Sequence, residues 1–234
     1  MQQYPSTTHV QPISRGQSLH EQTYLAIRTA ILSGKFASSD RLIESQLSTI
    51  LGVSRTPIRE ALRQLQRDNL VVADDRGGLS VTQLSATDAG HLYDCRMGLE
   101  EIAVAQACIH ITNTQLKQLK KAVEKAEKNW GKSGQRLTNF QLLHMDYEFH
   151  RLLAESSDNP WLISLLDQLF DKMALIRIRT MQHNPEVLEI RGEHRSIYEA
   201  VEAGDATAAV EFMHQHLVAS RVRVIAEIQQ LAAL

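Results

Sequence analysis

LGVSRTPIREALRQL, Leu51 to Leu65, reads as a tight turn followed by a helix that offers arginines to a polyanion. Ser54 is a good N-cap, because its hydroxyl can accept a backbone N–H of the first turn. Pro57 falls in that turn, where a missing N–H does no harm. Ile58, Ala61, Leu62 and Leu65 follow at the i, i+3, i+4, i+7 spacing of one buried face. Arg55, Arg59, Arg63 and Arg67 recur every fourth residue along the flank, and between Leu51 and Arg67 only Glu60 is acidic. A solvated charged face is the ordinary account of such a flank. Charges nearly all of one sign, and all of them arginine, suit bidentate contact with phosphate or guanine instead.

The flanking residues complete a recognisable unit. Upstream, Glu44 to Leu51 is a short amphipathic segment, and Gly52 stands where a helix should end in a left-handed residue. Helix, tight turn and second helix with its N-terminus displayed make the helix-turn-helix pattern, whose second helix enters the major groove. Downstream, Leu70 to Thr82 reads as two short strands around a polar turn, a β-wing with Arg76-Gly77-Gly78 at its tip. Glycine there lets backbone come close to a phosphate. Leu19 to Ser33 is a preceding helix with Tyr24, Ile27, Ile31 and Leu32 as its stripe, stopped by Gly34. Residues 1–17, rich in Gln, Ser, Thr and Pro, are expected to be a disordered tail.

Bulk properties fit this reading. The 234 residues are 43% hydrophobic and 22% charged, an ordinary globular composition. The net charge of −2 speaks against a general nucleic-acid coat. Residues 1–82, however, carry nine Lys and Arg against seven Asp and Glu, so the positive charge is local, as suits a sequence-specific binder. Cys95 and Cys108 form no CxxC and no disulfide framework, which points to a reducing compartment. With neither a leader pattern nor an apolar run long enough for a bilayer, the chain is expected in the cytoplasm, with no membrane partner.

A boundary is expected at 83–87, between an 18–82 winged helix-turn-helix and an 88–234 second domain. Ser85 and Asp88 can form a capping box there. From that point every segment has helical period: Asp88–Ile111, Thr112–Trp130, Leu137–Glu155, Trp161–Met181, Glu186–Glu202 and a last helix capped by Asp205. Gly131 to Gly134 reads as a loop. The fold class is therefore mainly α: a winged helix-turn-helix with a small β-wing, then an all-helical antiparallel bundle.

The bundle places ionisable residues on apolar faces. Asp146 and His150, four residues apart, project from the stripe of Leu142, Leu143, Phe149 and Leu153. His194 lies among Ile190, Ile197, Tyr198 and Val201, and His216 near Phe212, Met213 and Ser220. A buried carboxylate without a partner is costly, so something compensates it. An Asp-x-x-x-His bite plus two further histidines makes a His₃Asp metal set with room for water or substrate oxygens. Four core residues, each satisfied by its own hydrogen bond, are the alternative. Arg96 sits among Leu92, Leu99 and Ala103 with Glu100 one turn on. That is either an internal Arg96–Glu100 pair or an arginine that meets a carboxylate ligand in the cavity. Arg177 and Arg179 can assist, with faces unassigned.

Leu51–Leu65, together with Arg41-Leu-Ile-Glu44 and the wing, resembles the winged helix-turn-helix of GntR-family bacterial transcription regulators. The second domain resembles the helical FCD ligand-binding domain of the FadR-type branch, through Arg96-Met-Gly-Leu-Glu100, Asp146-Tyr-Glu-Phe-His150, Glu193-His194-Arg-Ser-Ile, Gly204-Asp205 and His216-Leu217. The resemblance implies that Asp146, His150, His194 and His216 hold a divalent metal (zinc, nickel or manganese). It implies a small carboxylate or sugar acid beside that metal and Arg96, with Glu100 in the same effector-binding set. It also maps Ser54, Arg55, Thr56, Arg59 and Gly77 to operator contacts. The chain departs from the family pattern at Ser38-Ser39, where Pro-Gly is common, at Asn69, where Gly is common, and at Ser45, where some relatives carry a DNA-contacting arginine.

The function expected is a metabolite-responsive, sequence-specific regulator. It would act as a homodimer on double-stranded DNA carrying an inverted repeat. Two rivals stay open. Three His and one Asp can activate water in a hydrolase or lyase, but no further general base or nucleophile motif accompanies them, so the expectation is no enzyme. Alternatively the metal is purely structural.

Overall fold

The computed structural model describes residues 18–129 and 137–233. The tail expected at 1–17 and the loop expected at Gly131–Gly134 lie outside the described residues. Among the described residues the chain forms α1 (Leu19–Leu32), α2 (Glu44–Leu51), α3 (Arg55–Arg67), β1 (Val71–Ala73), β2 (Leu79–Val81), α4 (Ala86–His110), α5 (Asn113–Asn129), α6 (Asn139–Ser156), α7 (Pro160–His183), α8 (Arg191–Glu202) and α9 (Ala206–Ala232). A 3₁₀ turn, Pro185–Leu188, precedes α8.

The first unit is built around α3. Pro57, Ile58, Ala61, Leu62 and Leu65 are all buried, as their spacing requires. They pack on Ile27 and Ile31 of α1, Leu47 of α2, and Val71 and Val81 of the wing. Gly52 ends α2 at φ 65°, where its N–H reaches Ser48 O. Ser54 takes the extended N-cap conformation, but its hydroxyl makes no cap hydrogen bond, contrary to the sequence reading. β1 and β2 pair antiparallel, with Val71 opposite Val81 and Ala73 opposite Leu79. Arg41 adds an isolated bridge to Ser80. At the tip, the Asp74 carboxylate accepts from the Arg76 and Gly78 backbone N–H groups, at 2.9 and 2.8 Å, and shapes the turn.

Asn69 holds φ 59°, a left-handed conformation between α3 and β1. A Cβ is disfavoured there by roughly 1–2 kcal/mol, with Asn the tolerated exception. Asn69→Gly should leave the urea midpoint unchanged or slightly raised, whereas Asn69→Ala should cost about 1 kcal/mol in the same titration.

In the second unit α4 packs most extensively along α9, α6 packs on α5 and α7, and α8 lies on α9. Ser85 and Asp88 form the expected capping box. The expected helix Glu186–Glu202 is instead broken. Pro185 opens a tight turn in which the Asn184 side chain accepts the Glu186 N–H at 3.1 Å. Ile190 then drops into a small core with Leu143 and Met181, at φ −128° and ψ 5°, and α8 restarts at Arg191. Burial of Ile190 overrides local helical propensity.

The two units share packing. Leu175 of α7 is buried in the core of the first unit. Arg28 of α1 forms a bidentate pair with Asp171 of α7, at 2.9 Å through Nε. Gly34 stands at φ 74° against α7, where an added Cβ would lie 3.0 Å from Gln182 Nε2 and 3.2 Å from Ile178 Cγ1.

Candidate metal centre and DNA-binding face

Three helices bring Asp146 and His150 (α6), His194 (α8) and His216 (α9) together. All four are buried. Each offers one ligand atom, and these lie within 4.8 Å of one another. The three imidazole centroids are 4.9 to 5.2 Å apart, and His194 stacks on Phe149 at 4.0 Å. Asp146 Oδ1 and the Nε2 atoms of His150, His194 and His216 are buried without hydrogen-bond partners. Four such groups facing one point would be a standing cost in an ordinary core. The donor set suits a divalent ion of the zinc, nickel or manganese type.

Acidic partners orient the imidazoles from behind. His216 Nδ1 lies 2.6 Å from Glu193 Oε2, and Arg223 holds that carboxylate through two contacts at 2.9 and 3.0 Å. Facing a carboxylate, Nδ1 must donate, so the Nε2 lone pair points to the cluster. His150 Nδ1 lies against Glu100 Oε2 in a close contact between ionisable groups. Burial, reinforced by the neighbouring positive groups, pushes the His194 and His216 imidazoles well below their usual value, so both are neutral at pH 7. Burial would raise the Asp146 carboxyl, but the Arg177 guanidinium, with His150 and Arg96, holds it well below the usual carboxylate range. Neutral imidazoles and an ionised carboxylate are the states a metal requires.

Arg96 and Arg177 are both buried, each with an acid. Arg96 Nε pairs with Glu100, and Arg177 Nη1 pairs with Asp146 Oδ2. Arg96 also lies over the Phe170 ring, 5.2 Å from its centroid. Glu100, expected in the effector-binding set, is paired within the protein. One oxygen is taken by Arg96 and the other by His150, and against burial these partners hold its carboxyl at about 2. Both accounts of Arg96 keep a foothold, because Nη1 and Nη2 remain buried and unpartnered beside the Glu100 pair. Arg177 likewise keeps Nε and Nη2 unspent. Glu193 stood in the sequence only as part of a resembling string; its partnership with His216 and Arg223 spans α8 and α9, and no periodicity marks it.

If Glu193 sets the His216 tautomer, Glu193→Gln should weaken zinc affinity roughly 10- to 100-fold, read by competition with a chelating dye, while the far-ultraviolet circular dichroism stays unchanged.

On the other unit, Ser54, Arg55, Thr56 and Arg59 are exposed at the start of α3, and Gly77 is exposed at the wing tip with φ 75°. Open space surrounds Gly77 on its Cβ side. Arg59 is engaged in the free protein: its Nε lies 2.8 and 3.0 Å from the two Glu44 oxygens.

A winged helix-turn-helix joined to an all-helical domain defines a two-module transcription regulator. Residues 19–81 match the family described as "Bacterial regulatory proteins, gntR family", and residues 91–219 match the "FCD domain". The chain belongs to the GntR family of bacterial transcriptional regulators, in its FCD-containing, FadR-type branch. It is 34% identical over 195 residues to the uncharacterized HTH-type transcriptional regulator YdhC of Bacillus subtilis (strain 168), covering 83% of this chain and 86% of that one. It is 28% identical to the HTH-type transcriptional repressor NanR of Klebsiella aerogenes, covering 88% and 85%. The E. coli McbR/YncC structure shares the fold, with a TM-score of 0.75 at 23% identity over 92% of this chain and 99% of that one. The family and these relatives are transcriptional regulators, not enzymes. No described helix is long and apolar enough to cross a membrane.

Proposed function

We propose that this regulator carries a divalent metal (zinc, nickel or manganese) on Asp146, His150, His194 and His216, and that a small carboxylate bound beside it alters DNA affinity. The observation that carries the reading is the set of four converging ligand atoms buried without partners. The metal would supply a fixed positive charge for an acid's oxygens. The unspent N–H groups of Arg96 and Arg177 would orient the carboxylate, since a planar guanidinium fork matches a carboxylate's geometry. Glu100 acts from behind, as counter-charge to Arg96 and brace for His150.

The DNA-binding unit spans about residues 18–82 and the effector unit 88–234. Ser54, Arg55, Thr56, Arg59 and the Gly77 backbone make the operator contacts. Two chains read an inverted repeat, with phosphate contacts giving affinity and arginine contacts to base edges giving sequence preference. An acid changes DNA affinity only if it binds the two conformations of the protein unequally.

Fluorescence anisotropy on DNA from upstream of the protein's own gene, against a scrambled duplex, tests this with a panel of carboxylic and sugar acids. Specific binding that one acid shifts, with the shift lost on chelation or in Arg96→Met, is the expected result. Specific DNA binding that no acid alters would overturn the effector reading and leave the metal a structural part.

A further inference from the structure

A cavity of about 280 Å³ lies between α1, α6 and α7, at the junction of the two units. It lies just below the size range of small-molecule sites, about 300–1,000 Å³. Asp146 of the metal cluster lines it together with its partner Arg177, so the cavity reaches one edge of the cluster. Its walls are Leu32 of α1, Phe140 and Leu143 of α6, and Phe170, Met173 and Ala174 of α7. The polar groups among them are largely engaged: Arg28 is held by Asp171, and Asp146 Oδ2 by Arg177. Tyr147 donates its hydroxyl to Asp167, and His144, which also lines the cavity, is exposed. Of the cavity's cations the buried one is Arg177, 1% exposed, whose Nε and Nη2 lack partners. On the other side of Asp146 a recess lined by Ala122, Ala126 and Met145 offers about 30 Å³, too little for an organic ligand.

We propose that the effector is an amphipathic carboxylate whose head lies at Arg177 and the cluster and whose apolar body fills this junction cavity against Leu32 of α1. This rests on the carboxylate reading above and narrows it. A sugar acid would bury hydroxyl groups along walls that offer them few partners, a desolvation cost without return. An alkyl or aryl body finds instead the surface it needs, and Arg177, with unspent N–H groups, stands beside the cluster where its carboxylate would be. An occupant touches α1 as well as α6 and α7, so the atoms that select the acid also bear on the helix that supports α3.

The test is calorimetric titration of the zinc-loaded full chain with butanoate, hexanoate, octanoate and gluconate. Each buried methylene is worth roughly a three- to fourfold gain in affinity, so the alkyl series should tighten stepwise and octanoate should exceed gluconate by at least tenfold. Ala174→Phe should fill the cavity and abolish the chain-length dependence, leaving butanoate and zinc affinities as they were. Ala174→Leu should do so in part, and it decides the matter if the larger residue disturbs folding. A flat series, gluconate binding more tightly than octanoate, or a chain-length dependence that survives both substitutions would overturn the junction cavity as the tail site, while the carboxylate reading stands. Absence of binding by every acid, on protein that still holds zinc, would overturn both.

Discussion

Asp146→Ala should cost the helical unit about 3–5 kcal/mol even in chelator, before any metal is considered. The reason is Arg177. Its guanidinium is 1% exposed and has Asp146 as its acidic partner. Truncating the acid strands a buried cation, which is dearer than losing a favourable contact. For a protein of this size the loss corresponds to a fall in Tm on the order of 10 °C, readable by scanning calorimetry in excess chelator. The double change Asp146→Leu with Arg177→Met removes both charges and should regain most of that stability. Zinc binding should fail in the single and the double variant alike. Equal destabilisation of the two proteins would mean that the charge pair is not the source of the effect. The comparison separates what Asp146 does for folding from what it does for the metal, which a ligand deletion alone confounds.

The second large effect lies at the start of α3. Arg55→Ala should weaken operator binding by about 1–3 kcal/mol, roughly 5- to 150-fold, and relax discrimination at one base position. Arg59→Ala should cost less, because Arg59 begins in the grip of Glu44 and must surrender that pair on reaching DNA. Arg63→Ala, further along the exposed flank, should weaken specific and scrambled duplexes alike and lower the salt slope by about one. Anisotropy over a salt series measures all three. A loss at Arg55 that is equal on both duplexes would assign it to phosphate contact instead of base readout.

Periodicity made some parts of this molecule readable. On α6, α8 and α9 the polar anomalies stood on otherwise apolar faces, so Asp146, His150, His194 and His216 could be picked out one helix at a time. Arg177 could not. Its helix is buried on nearly every side, with Met173, Leu175, Ile176, Ile178, Thr180 and Met181 all inaccessible, so no face marks it as pointing anywhere in particular. The partnership of Glu193 was invisible for a different reason. Its role depends on which neighbour α8 meets, and a single helix's pattern holds no information about its partner. The break at Glu189–Ile190 is likewise tertiary, set by a core that Ile190 completes. Ser54 shows the limit of local rules: the residue type suits a cap, yet its hydroxyl is left unused by the helix.

The intrusion of Leu175 into the core under α3 bears on how such regulators can be recombined. A chimaera that joins this operator-reading unit to a foreign sensor at residues 83–87 would sever the unit from α7. The Ile27 and Ile31 neighbourhood would lose an apolar neighbour, and Arg28 its counter-charge. A biosensor built from this chain therefore needs its graft point chosen by surface, with the α1-facing side of α7 transplanted onto the incoming partner, residues 171, 174, 175 and 178 included.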